Sequence, residues 1–214
     1  MLSRQNSKLI QAFIAIILFF SLGLVIKYWP DTVISFDQTI QESVRGQLPN
    51  LSTRFFKLIT VIGNTVSQIA IAIMSVTFCY LKKWYPQARF IAVNAIISGI
   101  CILSLKLIFQ RVRPTLTHLV FAGGYSFPSG HSMGTFMIFG SIIILLQYYM
   151  PKSIWKLLYQ GILGLLIFLI GLSRIYLGVH FPTDVLAGFI LAYGILNLTA
   201  YIFLAKDWLK KRLF

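Results

Sequence analysis

The stretch GGYSFPSGHSMGTFMIFGSIIILL, residues 123–146, opens as a knot of glycine, serine, proline and histidine and runs without a break into an apolar helix of membrane grade. Hydrocarbon offers no partners to a polar loop or an ionisable side chain, so a loop that delivers His131 to the mouth of such a helix has to be satisfied by other parts of the chain. The rest of the sequence agrees with that setting. Hydrophobic residues make up 57% of the 214, 11% are charged and mean hydropathy is +0.81, against roughly 25% charged in a soluble domain. At about 20 residues per crossing, spans are expected at Leu9–Trp29, Leu58–Leu81, Phe90–Ile108, Ser132–Tyr149, Leu157–Ser173 and Val185–Leu204. The expected fold class is all-α: a polytopic membrane protein of six transmembrane helices, forming a single domain over residues 1–214.

The first span follows Arg4 and Lys8 but is too long for the apolar core of a signal peptide, and LGLVIKYWPD after it offers no small-residue cleavage site, so it is read as an uncleaved helix. With six spans, the N-terminus, the 82–89 loop, the 150–156 loop and the tail share one side. That side carries 11 of the 19 lysines and arginines and a single acid, Asp207, which makes it cytoplasmic by the positive-inside rule. The formal net charge of +14 does not point to nucleic acid, because the cations are scattered over short loops at both faces. Attraction to anionic headgroups accounts for them, and the tail KDWLKKRLF suits an interfacial anchor through Trp208 and Phe214. Cys79 and Cys101 fall inside apolar spans and read as small core residues without a disulfide. No zinc-type cluster is present in the sequence, and no metal or cofactor is expected.

Between Pro30 and Lys57, Val33, Phe36, Ile40 and Val44 recur at helical spacing among acids and amides. This predicts a short amphipathic helix on the outer surface, either a tether at the interface or a gate beside a lipid entrance.

Polar residues that a bilayer should exclude gather on that same outer side. Lys106 closes the third span and is followed at Arg113 and Pro114 by the end of KLIFQRVRP; Ser129, Gly130 and His131 precede the fourth; SRIYLGVHFPTD, with Ser173, Arg174, His180 and Asp184, joins the fifth to the sixth. Lys106, Arg113 and Arg174 together can neutralise a dianionic phosphate, the two guanidinium groups as forks and the ammonium as a point charge. Ser129 and the backbone N–H groups around Gly130 add donors at a helix N-terminus. His180 can attack a phosphoryl group held in that cradle if Asp184, four residues on, fixes its tautomer, with Pro182 starting the last helix between them. His131 then serves as general acid to the departing oxygen. Lesser candidates are His118, read as a solvated loop residue; Arg111, an assistant to Arg113; Asn64, Ser67 and Gln68, read as helix-to-helix bonds; and Tyr125 and Phe127, which would border a lipid entrance.

The three segments, K-x6-RP, PSGH and SR-x5-H-x3-D, resemble in order and spacing the signature of the type 2 phosphatidic acid phosphatase superfamily, whose catalytic core is shared with vanadium haloperoxidases and bacterial acid phosphatases. The resemblance covers Lys106 to Asp184, and the six-span plan of the membrane branch extends it over most of the chain. It implies an acid phosphatase/vanadium haloperoxidase-like helical core, metal-independent catalysis, His180 as a nucleophile forming phosphohistidine, Asp184 as its partner and His131 as the acid. Lys106, Arg113, Ser129, Gly130 and Arg174 would bind phosphate. The implied partners are the bilayer and a lipid phosphate, with phosphatidic acid, phosphatidylglycerophosphate and undecaprenyl diphosphate as substrates that suit an outward-facing site in a bacterial plasma membrane. A phosphotransferase using the same intermediate, or a carrier that binds lipid phosphate without chemistry, are the alternative readings.

Overall fold

At bilayer depth a backbone amide finds a partner only within its own helix or a closed barrel, and runs rich in Leu, Ile and Phe over more than a dozen residues take the first course. The computed structural model describes residues 2–205, and among them the chain forms eight helices and no strand: α1 (Leu2–Tyr28), α2 (Asp31–Arg45), α3 (Asn50–Ile62), α4 (Thr65–Leu81), α5 (Tyr85–Phe109), α6 (Gly130–Tyr149), α7 (Ile154–Tyr176) and α8 (Pro182–Ala205). The basic tail with Trp208 and Phe214 lies outside the described residues. Five helices, α1 and α5 to α8, are each long and apolar enough to cross a membrane, and α3 with α4 are so when taken together as one bent pair. The protein is an integral membrane protein.

That bend corrects one expectation. The second span begins not at Leu58 but at Asn50, and it breaks by 50° between Ile62 and Thr65. The break falls at Gly63–Asn64, two residues of low helix propensity inside an otherwise apolar run. Asn64 becomes the residue that opens α4.

The most enclosed spans are α6 and α8. α8 packs on α1 and α6, while α6 also meets α7, α5 and α4. An added Cβ at Gly188 would sit 3.1 Å from the Ser129 carbonyl oxygen and 3.2 Å from the Met133 amide nitrogen. α8 therefore touches the start of α6 backbone to backbone, and the Ser129 N–H donates to the Asp184 carbonyl across the contact at 3.1 Å. Phe127, expected at a lipid entrance, is instead wholly buried, stacked on Phe19 of α1 at 5.5 Å and edge-on to Phe109 of α5 at 4.9 Å. Its neighbour Pro128 follows a cis peptide. The ring anchors the polar knot to the core, a burial worth roughly 1.5–3 kcal/mol.

α2 is the amphipathic helix anticipated between the first two spans, with Val33, Ile40 and Val44 partly buried. Phe36 is half exposed, whereas Asp37, Gln41 and Arg45 are buried. Beneath this polar face lies the polar end of the bundle, so hydrogen bonds hold α2 down together with Val33 and Val44, which pack against the apolar core. Arg45 donates to the carbonyls of Tyr176 (3.2 Å) and Thr117 (3.0 Å). Gly178, at φ +76°, makes room: a Cβ there would meet the Arg45 guanidinium at 2.0 Å. At the opposite end of the bundle, Lys156 is buried rather than solvated, donating to the last carbonyls of α6 at Gln147 (2.9 Å) and Met150 (3.0 Å).

Candidate active site

The C-terminal ends of α5 and α7 and the N-terminal ends of α6 and α8 lie at one end of the bundle, and between them they carry the three sequence segments. Lys106, Arg113, Gly130, His131, Arg174 and His180 line a single cleft of about 860 Å³ that runs on between α4 and α5, past Ile69, Ile73, Ile96 and Leu103. These four side chains are more than half exposed. The cleft is therefore open sideways, toward the lipid.

The start of α8 builds the first half of the site. Pro182 stands at the first helical position, where its missing N–H is not needed. Asp184, fully buried, reaches back to accept from the Phe181 N–H at 2.9 Å, as a carboxylate in the first helical turn does in a capping box. The same oxygen, Oδ2, accepts from the Ser126 hydroxyl and lies 3.4 Å from His180 Nδ1; Ser126 Oγ is itself 3.2 Å from that nitrogen. Arg113 Nη1, which can only donate, is 3.2 Å from His180 Nε2. The ring is thereby assigned: Nδ1 carries the proton, shared between Ser126 and Asp184, and Nε2 presents its lone pair to the cleft. Burial lowers the His180 pKa from 6.5 to about 3, with Asp184 pulling the other way and Arg174 and Arg113 adding to the fall. The imidazole is neutral at physiological pH.

The cations are oriented by backbone carbonyls. Arg113 donates to Val179 (2.6 Å), Gly123 (2.8 Å) and Gly124 (3.0 Å), and Lys106 Nζ to Tyr125. Burial lowers the Arg113 pKa, and the Asp184 carboxylate counters that shift. The glycines of the knot thus turn their carbonyls onto the cations, Gly124 with φ +66°. Arg174, 3% exposed, donates to Thr60 Oγ1 at 2.5 Å, and its Nε, also buried, has no hydrogen-bond partner. A buried guanidinium N–H without an acceptor beside two further cations is what an anion site requires.

Ser129 opens α6. Its hydroxyl oxygen accepts from Ser132 Oγ at 2.9 Å and Ser132 N at 3.4 Å, so its own proton is free to donate. His131 follows in the first turn, with Nε2 2.9 Å from Asn64 Oδ1. That oxygen only accepts, so Nε2 carries a hydrogen. Gln68 donates to Gly63 (2.8 Å) and Gly130 (3.3 Å), joining the bend to the knot. His118 is exposed and rests on the Pro114 carbonyl at 2.9 Å, away from the cleft.

Three participants escape sequence reading. Ser126 stands inside the quoted knot, yet nothing separates it from the other serines there. Asn64 was anticipated as a helix-to-helix bond, and it is one, but its partner is His131. Arg111 does not assist Arg113: it turns the other way, to Asp184 and Asp37 at 2.7 Å each.

The profile of the PAP2 superfamily matches residues 87–208, more than half of the chain. The protein belongs to that superfamily. Among curated relatives, it is 46% identical over 86 residues to phosphatidylglycerophosphatase B of Bacillus subtilis, covering 40% of this chain and 42% of the relative. It is 37% identical over 94 residues to an undecaprenyl-diphosphatase of Sulfolobus acidocaldarius, covering 44% and 41%. Each match thus spans about two fifths of the relative's length. Among solved structures, the transmembrane PAP2-type phosphatidylglycerolphosphate phosphatase of Bacillus subtilis superposes with a TM-score of 0.79 at 28% identity, over 92% of this chain and 96% of that one. Aquifex aeolicus LpxE gives 0.57 at 25% identity, over 75% and 93%. The all-helical membrane fold is therefore that of the PAP2 phosphatases.

Proposed function

We propose that this PAP2 protein is a lipid phosphatase that removes phosphate from a membrane lipid at the outer face of the bilayer, through phosphohistidine on His180 and without a metal. The observation that carries this reading is the set of contacts on His180: Nδ1 beside Ser126 and Asp184, Nε2 toward a cleft lined by Arg113, Arg174 and Lys106. In the first step the Nε2 lone pair forms a bond to phosphorus, the bond from phosphorus to the lipid oxygen breaks with its electron pair on oxygen, and His131 donates the proton that oxygen needs. Asp184 faces the positive ring that results. In the second step water attacks phosphorus, gives its proton back to His131, and the N–P bond breaks to leave His180 neutral and inorganic phosphate in the cradle.

The cleft supports a substrate class. Its polar end suits a phosphate, and its apolar sides between α4 and α5 suit an acyl or prenyl chain that stays in the bilayer. Phosphatidylglycerophosphate and undecaprenyl diphosphate are favoured, since the relatives named above act on such lipids, with phosphatidic acid as a third. Outward orientation rests on the basic loops Lys82–Lys83 and Lys152 at the opposite end of the bundle.

The test is inorganic phosphate release by the purified protein in excess chelator on all three lipids, with His180→Ala alongside. Turnover that survives chelation and is lost in the variant is expected. Turnover retained by His180→Ala, or abolished by chelator, overturns the mechanism, and phosphate passed to an alcohol rather than released marks a transferase.

A further inference from the structure

Behind the His180–Asp184 couple, on the side away from the cleft, is a second cluster that phosphate binding does not use. Arg111 Nη1 donates to Asp184 Oδ1 and to Thr183 Oγ1, both at 2.7 Å, and Arg111 Nη2 donates to Asp37 Oδ2 at 2.7 Å. Asp37, fully buried, also accepts from the Thr183 N–H at 2.9 Å and the Thr183 hydroxyl at 2.7 Å. The guanidinium lies over the Phe181 ring, 4.0 Å from its centroid. Asp37 comes from α2, Arg111 from the segment after α5, and Thr183 and Asp184 from the first turn of α8. The bonds are short, and Asp37, Thr183 and Asp184 are buried.

Two features separate this cluster from ordinary packing. The first is how the Asp184 carboxylate is divided. Oδ2 serves His180, Ser126 and the Phe181 N–H, whereas Oδ1 takes only Arg111. Arg111 therefore sets the plane in which Oδ2 meets the imidazole. The second is charge. Arg111 alone would neutralise Asp184 and cancel its attraction for a positive ring, but here one guanidinium is shared by two carboxylates, and the cluster carries a net charge of minus one.

We propose that Arg111 and Asp37 are positioning residues of phosphoryl transfer: Arg111 orients the Asp184 carboxylate, and Asp37 holds enough of the Arg111 charge for Asp184 to stabilise the imidazolium formed when His180 is phosphorylated. This rests on the phosphohistidine reading given above. The energy involved is that of one charge seen across several ångströms of partly screened protein, which corresponds to about 10- to 100-fold in rate. Since a buried ion cluster can equally be a structural tie, the effect has to appear in the chemical step and not in binding. Gln41 supplies the comparison. It lies one turn from Asp37 on the same buried face and donates to the His180 carbonyl at 3.1 Å, but it bears no charge.

The experiment measures kcat, KM, the inhibition constant of inorganic phosphate, the rate of acid-labile phosphoenzyme formation and thermal stability in Asp37→Asn, Arg111→Met, Arg111→Lys and Gln41→Leu. Asp37→Asn is expected to lower kcat and the rate of phosphoenzyme formation together by about 10- to 100-fold, with KM and phosphate inhibition within about threefold of the parent. Arg111→Met is expected to lose more, Arg111→Lys to recover part of that loss, and Gln41→Leu to fall by less than Asp37→Asn. The proposal is overturned if Asp37→Asn turns over at the parental rate, if KM and phosphate inhibition worsen in step with kcat, or if Gln41→Leu is equally slow. Should Asp37→Asn fail to fold, the same criteria applied to Arg111→Lys decide the matter. A parent protein that forms no phosphoenzyme refutes the reading beneath; one that does, with variants labelled as fast, refutes this inference alone.

Discussion

His180 is the residue on which the structure makes the most specific demand. Held neutral by burial, with a pKa of about 3 against 6.5 in the open chain, it binds no proton in the folded state between those limits, whereas the unfolded chain does. Its contribution to stability is complete above about pH 6.5 and is lost as pH falls toward 3. Thermal unfolding of the detergent-solubilised protein is therefore expected at progressively lower temperature from pH 7 to pH 4, and His180→Gln should flatten part of that slope; an unchanged slope would mean that His180 is protonated in the native state. The second histidine makes a chemical prediction. A lipid alkoxide leaving from a monoester needs a proton, while a lipid phosphate leaving from a diphosphate is far less basic. His131→Ala is expected to slow phosphatidylglycerophosphate turnover more than undecaprenyl diphosphate turnover, by about tenfold or more if acid catalysis is worth 10²–10⁴. Equal losses on the two substrates would remove His131 from the role of acid.

At the scale of helices, the site depends on where α8 touches α6. Gly188→Val is expected to push the Ser129 and Asp184 segments apart, because the atoms in its way are backbone and cannot rotate aside. Overpacking of this kind costs about 1–3 kcal/mol, and at roughly 2–4 °C per kcal/mol for a chain of this size a Tm several degrees lower should accompany the loss of activity. Much at this scale was legible beforehand. Lys106, Arg113, His131, Arg174, His180 and Asp184 stand out because each is an ionisable group beside hydrocarbon, and chemistry is the usual reason for that expense. The bend at Gly63–Asn64 was not legible, since hydropathy runs straight through two residues that only a neighbour such as His131 gives a reason to break. The polar face of α2 went unread for a related cause: Val33, Phe36, Ile40 and Val44 mark the apolar face by their spacing, but nothing in it says that the opposite face will meet Thr183, Arg111 and the His180 carbonyl. Periodicity reports which side chains share a face, not what that face will meet.

For the molecule as a whole, the decisive feature is the cleft between α4 and α5. Gly99 lines it and has open space beside its Cα, so Gly99→Trp is expected to obstruct the apolar sides without touching Lys106, Arg113 or Arg174. Steady-state assays should show kcat/KM falling about tenfold or more for long-chain substrates, the scale of a few lost apolar contacts, and much less for short-chain analogues; equal losses would place the tail elsewhere. The lateral opening also governs how such an enzyme is supplied. A centre entered from the side is fed by a search in two dimensions, in which detergent or bulk lipid dilutes the substrate without changing its molarity. Its saturation is therefore a property of the mole fraction of phosphorylated lipid in the membrane plane, and adding inert phospholipid should slow the reaction as surely as removing substrate.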